Sequence, residues 1–422
     1  MMVFWGGIAR CLVMAPILLM PLARGGVQGW AVTAMHLITL LAMAVFFLER
    51  ITCWQWRWIR TPLDLPLAAL LLICGLAALL SENRLRSGWV FLLCVNYVVL
   101  FYLMIHLFQT RAEMRQLMAT LIVAAFLVVL VGGLTRWGIH PFGWWRFEDI
   151  HQAANKMTAG FGNPNHFAGF MALSLPLALA GGLLVFRSRV RIGCYIVGLS
   201  IIGGLVLSLS RGGWMACLCG SLFLVCWLLG SRGIDKKKLL FAACGVTIVV
   251  FILIFSNTTV TLRLVTILQD PIQVLGGRLR LWGATATMIA DYPILGVGPG
   301  NFGTVFTQYH PPGMLVRHFF AENDYLQWVA EIGVGAIGLI VWIVMAFLKR
   351  AIQKRNHPSR LVRGITAGAL SGMVAIGMHA TVDFPFHIPA HALMATSMAA
   401  LVMAPDPVDH KARFFYYLNF RL

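Results

Sequence analysis

Residues 192–230 read IGCYIVGLSIIGGLVLSLSRGGWMACLCGSLFLVCWLLG, two apolar runs joined by a short turn in which Arg211 is the only charged residue. A membrane-spanning helix needs about 20 mostly apolar residues, so this stretch reads as two spans, 192–209 and 213–230, reversing at Ser208-Leu209-Ser210-Arg211-Gly212-Gly213-Trp214. The same criterion, carried outward, finds runs at 3–22, 29–48, 64–80, 88–107, 116–135 and 166–186 before the hairpin, and at 239–256, 325–348, 363–381 and 388–404 after it. The whole chain agrees: of 422 residues 59% are hydrophobic and 11% charged, with a mean hydropathy of +0.82, whereas soluble domains average about 25% charged. The expected fold is an all-α polytopic membrane protein of about twelve transmembrane helices. Residues 1–24 read as a retained first helix and not as a signal peptide, because no small-residue cleavage site ends the apolar run.

Charge tests the helix count. Lys and Arg total 33 against 15 acids, a formal net charge of +18. Of these 33, 21 fall in the C-terminal tail and the loops after even-numbered spans, counting Arg363 at the head of the eleventh span; these segments together are the shorter set. Membrane proteins collect Lys and Arg on the cytoplasmic side, which places both termini in the cytoplasm. The basic excess is therefore topology, and nucleic acid is not an expected partner. Nine cysteines scattered in apolar runs or at their edges suggest neither a disulfide framework nor a zinc site. One integral membrane domain covers 1–422, with a long outward loop, 257–324, between the ninth and tenth spans. No internal repeat is visible, which argues against a transporter built from inverted halves.

Outward-facing charges are the informative ones, since the topology rule does not account for them. Arg211 sits at a membrane edge among small Ser and Gly residues that expose backbone N–H groups, an arrangement suited to clamping an anion; snorkelling to lipid headgroups is the plainer alternative. In 276–282, GGRLRLW, Arg278 and Arg280 open an amphipathic helix whose apolar stripe is expected at Leu279, Trp282, Ala286 and Ile289. The following glycine-rich run 296–300, GVGPG, lacks the Lys-Ser/Thr ending of a phosphate loop and reads as a turn. In 318–327, HFFAENDYLQ, Glu322, Asn323, Asp324 and Tyr325 lead into a helix on which Asn323, Gln327 and Glu331 draw a polar stripe. Helix capping explains Asn323 or Asp324 equally well. A carboxylate beside arginines should stay ionised. Asn163, Asn165 and His166 in 160–166, GFGNPNH, form a turn whose polar side chains suit a sugar. His379, Asp383, His387 and His391 flank the last outward turn; a bond from Asp383 to an outward Arg is expected there in preference to a metal.

Taken together and in order, these motifs resemble the O-antigen ligase and polymerase family: GNPNH at 162–166, SRGGW at 210–214, GRxxxW at 277–282, PxxGxGPGNF at 293–302, ENDYLQ followed by Glu331-Ile332-Gly333, and DFP at 383–385 with IPA at 388–390. The likeness runs over roughly 160–390; the first five spans share only topology. It implies a bacterial inner-membrane glycosyltransferase of lipopolysaccharide or exopolysaccharide biosynthesis that needs no metal and no cofactor. Its site faces the periplasm, where a glycan on undecaprenyl diphosphate is donor. The acceptor is a hydroxyl on a lipid-linked sugar, a growing glycan chain or a protein. On that resemblance Arg211 and Arg278 hold the diphosphate, Arg280 supplements them, and Asn163, Asn165, His166, Asn323, Asp324, Tyr325 and Asp383 contact glycan or acceptor. Family ligases commonly carry a His before the Asn of a His-Asn pair, proposed to deprotonate the acceptor. This chain has Glu322 there, and a carboxylate can fill the role, with His318 in reserve. The alternative class is a polyprenyl-linked glycan flippase or another polysaccharide-export transporter, which would spread charged groups through the depth of the bundle.

Overall fold

The computed structural model describes residues 2–53, 58–145, 156–232, 234–237, 239–240, 271–313 and 317–407. All regular structure among them is helical. The helices are α1 (Met2–Leu22), α2 (Gly29–Cys53), α3 (Asp64–Leu80), α4 (Arg84–Leu107), α5 (Arg111–Arg136), α6 (Pro164–Ala180), α7 (Ser188–Ser208), α8 (Arg211–Leu229), α9 (Pro271–Asp291), α10 (Phe302–Val305), α11 (Asp324–Ile332), α12 (Gly335–Lys354), α13 (Arg360–His379) and α14 (Pro389–Met403). Among the described residues, nine stretches are long and apolar enough to cross a membrane: α1, α2, α4, α5, α6 with the π turn that extends it to Val185, α7, α8, α12 and α13; α3 and α14 are shorter apolar helices. The chain is thus a multi-pass membrane protein. The expected ninth span, 239–256, falls almost wholly outside the described residues, as do residues 257–270 of the long loop.

α6 and α13 form the centre, packed on each other and on α8. Most of α6 is buried, from Phe167 through Ala178. Close approach needs small residues, because in lipid helices are held by packing and not by expulsion of water. On α13 a Cβ at Gly372 would fall 2.5 Å from the Leu173 carbonyl oxygen of α6, and on α8 a Cβ at Gly220 would fall 2.7 Å from the Ala375 methyl. Since α6 and α13 are antiparallel neighbours, the start of α6 and the end of α13 share one end of the bundle. The start of α8 lies there too.

Two expectations are corrected. The run 325–348 is not one span: it breaks at Gly333 (φ +82°) into α11 and α12. The loop before it fills the break, with Val334 N–H donating to the Pro293 carbonyl at 2.8 Å and the Val297 and Gly298 N–H groups donating to the carbonyls of Ala330 and Glu331, both at 2.9 Å. A side chain at Gly333 would run into the Ile294 carbonyl, so the residue that looked like one more small residue in an apolar run is the hinge. On α9 the buried face is Leu281, Thr285 and Met288, whereas Leu279 is 51% exposed and Ala286 is also exposed. The stripe read from sequence is rotated because both sides of this helix are apolar and α11 covers the other one. Trp282 packs at the edge of that contact.

Candidate active site

A cavity of about 160 Å³ opens where α6 and α8 begin, and its walls include Arg211, Arg278, Lys156, Asn163, Asn165 and His379. The two helix starts are tied together. The Asn163 side chain caps α6 by accepting the Asn165 N–H at 2.8 Å, and Pro164 at the first helical position has no N–H to satisfy. Ser210 caps α8, its Oγ accepting the Gly213 N–H at 3.3 Å and donating to Asn165 Oδ1 at 2.8 Å. Leu209, just before, is held at φ +54°, a left-handed conformation that costs an L-residue about 1–2 kcal/mol. That sharp reversal turns α8 so that Arg211, its first residue, meets the cavity. Helix N-termini carry partial positive charge and unpaired N–H groups; here two converge with two arginines and a lysine. The walls of the hollow thus carry three basic side chains and two helix N-termini, a setting of positive potential.

Glu322 stands beside it. Its Oε2 lies 3.6 Å from an Arg278 guanidinium nitrogen, with the two side chains 31% and 29% exposed. The residue before it is clamped on both sides: Trp282 Nε1 donates to the Ala321 carbonyl at 3.0 Å, and the Ala321 N–H donates to Gln327 Oε1 at 2.7 Å. Glu322 itself has φ +53°; such strain in a non-glycine residue concentrates at functional sites. Burial, and after it the charge of Asp383, pushes its carboxyl up to about 7, which Arg278 only partly offsets. The expectation of a carboxylate kept ionised by its arginine neighbour is therefore corrected: this group is poised between its two forms near neutral pH.

The polar stripe on α11 does other work. Asn323 caps that helix, accepting the Leu326 N–H at 3.1 Å and donating to the Thr381 carbonyl at 3.1 Å. Asp324 is 1% exposed; its carboxylate accepts the Phe386 N–H at 2.7 Å and meets His387 Nδ1 at 2.5 Å. Glu331 accepts the Gly300 N–H at 2.9 Å and the Gln327 amide at 2.8 Å, with His387 Nε2 at 3.5 Å. Burial alone would lower the His387 pKa, yet Asp324 and then Glu331 hold it up at about 10. The Tyr325 hydroxyl donates to the Gly377 carbonyl at 2.8 Å. These residues lock α11 to the 293–301 loop and to the turn before α14, and they do not line the cavity.

Asp383 is 2% exposed and bonds to histidines, not to the arginine expected. Its Oδ2 lies 3.0 Å from His379 Nε2, its Oδ1 lies 3.8 Å from His166 Nε2, and it accepts the Phe384 N–H at 2.8 Å. The reason is the i, i+4 spacing across the turn, which brings His379 into reach before any arginine. Burial pushes the Asp383 carboxyl upward, but the His379 hydrogen bond and the charges of His166 and His379 outweigh it and hold it below the usual carboxylate range. His379 also approaches the Asn165 carbonyl at 3.2 Å and reaches the cavity wall. His391 is buried, its Nε2 2.8 Å from the His166 carbonyl. Arg280 is exposed and His318 stacks on His310 with 6.1 Å between ring centroids; neither lines the cavity. Sequence reasoning did not single out Lys156 and His379 as wall residues. The His-x-x-x-Asp spacing at 379–383 was the available signal for the second; nothing pointed to the first.

No curated protein matches the chain. A chain from a solved structure described as "Structural coordination of polymerization and crosslinking by a peptidoglycan synthase complex" is 17% identical, over 82% of this chain and 97% of that one, with a TM-score of 0.46. The motifs at 162–166 and 383–390 fall outside the family match. That match, to the family model described as O-antigen ligase, spans residues 194–343, so the stretch holding Arg211, Arg278 and Glu322 is similar to that family.

Proposed function

We propose that the protein is a glycosyltransferase of the outer face of the bacterial inner membrane, moving a glycan from undecaprenyl diphosphate to an acceptor hydroxyl without a metal. In this reading the donor's diphosphate occupies the cavity. Arg211 and Arg278 grip its oxygens, with Lys156 and the positive ends of the α6 and α8 dipoles around them, and the polyprenyl tail lies along the bundle. Glu322, in its ionised form, takes the proton of the acceptor hydroxyl. The acceptor oxygen forms its bond to the anomeric carbon as the bond from that carbon to the diphosphate oxygen breaks, and the electron pair leaves with undecaprenyl diphosphate. Charge then grows on the leaving phosphate, where the fixed guanidinium groups stabilise it most. Asn163 and Asn165 line the cavity, with His166 next in the chain, and these three are assigned to the sugar. Asp383 acts through His379 as a positioning residue, and Asn323, Asp324 and Tyr325 hold α11 in place.

The observation that carries this reading is the single hollow shared by Arg211 and Arg278, with Glu322 3.6 Å from the second arginine. The test is reconstitution in liposomes with a synthetic polyprenyl-diphosphate-linked oligosaccharide, with mass analysis of the products. Transfer releases polyprenyl diphosphate and gives either a ladder of lengthened glycans, a polymerase, or a single adduct on an added acceptor, a ligase. Movement of intact donor across the bilayer with no new glycosidic bond would overturn the proposal in favour of a flippase.

A further inference from the structure

A second and larger cavity, of about 400 Å³, lies at the opposite end of the bundle, and its walls carry Arg111, Arg115, Arg187, Arg191, Arg360 and His357. The 20 residues of α13 run from one cavity to the other, a distance of about 30 Å. A general bias of basic residues toward one membrane face explains how many arginines sit on that side. It does not explain why five from three separate helices surround one hollow.

Their arrangement opposes local stability unless something answers it. Arg111 and Arg115 are i, i+4 on α5, a spacing at which like charges are destabilising, and Arg187, the extended residue before α7, shares the hollow with Arg191 of that helix. Among the described residues none of the five pairs with an acid. Their hydrogen bonds are long ones to backbone carbonyls, Arg191 to Phe186 and Arg360 to Leu183, both at 3.4 Å. His357, the sixth basic wall residue, already has an acid at 3.2 Å in Asp406. Three helices also begin here: Arg111 is the first residue of α5, Arg187 precedes α7 and Arg360 is the first residue of α13. The first is closed by a capping box from Thr110 and Glu113, but α7 and α13 have no side-chain cap. Their first-turn N–H groups are left for another acceptor. Arginine forks match phosphate oxygens in pairs, and the cavity has the size of an ordinary small-ligand site.

We infer that this cavity binds a phosphate-bearing anion, a diphosphate or phosphodiester group, on the membrane face opposite the proposed transfer site. The headgroup of an anionic phospholipid and a free phosphorylated solute offer the same chemistry. The inference does not depend on the transfer reaction, and its test does not read transfer.

The test uses purified protein in phosphatidylcholine nanodiscs, titrated calorimetrically with inorganic pyrophosphate, and the same protein in detergent, titrated with cardiolipin by native mass spectrometry. At least one probe should bind saturably at one per chain. Pyrophosphate binding marks a free solute, cardiolipin binding a headgroup. R187Q/R360Q and, independently, R111Q/R115Q should each weaken that binding at least tenfold, while Arg84→Gln, on α4 and away from the cavity, should leave it unchanged. Absence of saturable binding of both probes to the wild-type protein would overturn the inference, and so would wild-type affinity in either double variant.

Discussion

Replacing Arg278 by Gln should change two things at once, and the account stands on seeing both. The guanidinium faces the proposed diphosphate and also sits 3.6 Å from Glu322. Loss of a preorganised donor from a site of developing charge typically costs about 10²–10³ in turnover, so the plateau rate of glycan transfer should fall by about that factor. The second effect is on Glu322. A unit positive charge at 3.6 Å favours the carboxylate by about 1 kcal/mol if the pair is screened as in water, and by about 4–5 kcal/mol at an effective dielectric of 20. Both side chains remain near 30% exposed, so the lower figure is the safer guide, and it corresponds to a shift of about one pH unit. The carboxyl, at about 7 with Arg278 present, titrates about one unit or more higher without it. Because the ionised form is the base, wild-type activity rises with pH through about 7 and the variant's acidic limb moves toward 8. The assay is initial rate of transfer in liposomes from pH 5.5 to 9.5. A fall in rate with an unmoved acidic limb would remove Glu322 from the role of base, and an unchanged rate would remove Arg278 from the donor site.

Glu322→Gln keeps the size and loses the base, so turnover should fall by about 10²–10⁴-fold with donor binding nearly intact; single-turnover kinetics against a donor-binding titration separates the two. Gly372→Val should destabilise the protein by about 1–3 kcal/mol, because its Cβ would press on the Leu173 carbonyl of α6 at 2.5 Å; the unfolding midpoint in detergent reads this. His387, held up at about 10 from an ordinary 6.5, contributes stability that is fully present below pH 6.5 and is lost as pH rises through about 10. The wild-type thermal midpoint should therefore decline toward pH 10. Removing one partner from a buried ionic cluster costs about 3–5 kcal/mol, so His387→Gln should already be less stable at neutral pH and lose that decline.

Much of the architecture could be read from the chain because lipid imposes a blunt requirement: runs of about 20 apolar residues are needed to span, and they show. The reading failed where polar satisfaction, and not hydropathy, decides the shape. Gly333 breaks α11 from α12 because the Pro293–Gly298 backbone takes the hydrogen bonds that a continuous helix would have kept to itself, and nothing in the local hydropathy of 325–348 reveals that. Asn323, Gln327 and Glu331 stood out only as a polar stripe on an apolar helix. Its acceptors are consumed by the Gly300, Ala321 and Leu326 N–H groups, partners that are near only once the fold has formed. Arg211 and Arg278, which line one cavity, stood out for the opposite reason. Read as outward charges, they break the rule that explains most of the other basic residues, and such an exception survives in the sequence without any knowledge of contacts. The poise of Glu322 was not legible, since it arises from burial and from Asp383, 61 positions away in the chain.

The central claim is that the two arginines share one diphosphate. It is tested most directly by equilibrium binding of a polyprenyl diphosphate to the wild-type protein, to Arg211→Gln, to Arg278→Gln and to the double variant, with the polyprenyl monophosphate as comparison. The account requires each single change to weaken diphosphate binding at least tenfold, a smaller effect on the monophosphate, and a double variant no weaker than the two losses combined. Wild-type affinity in the double variant would contradict it.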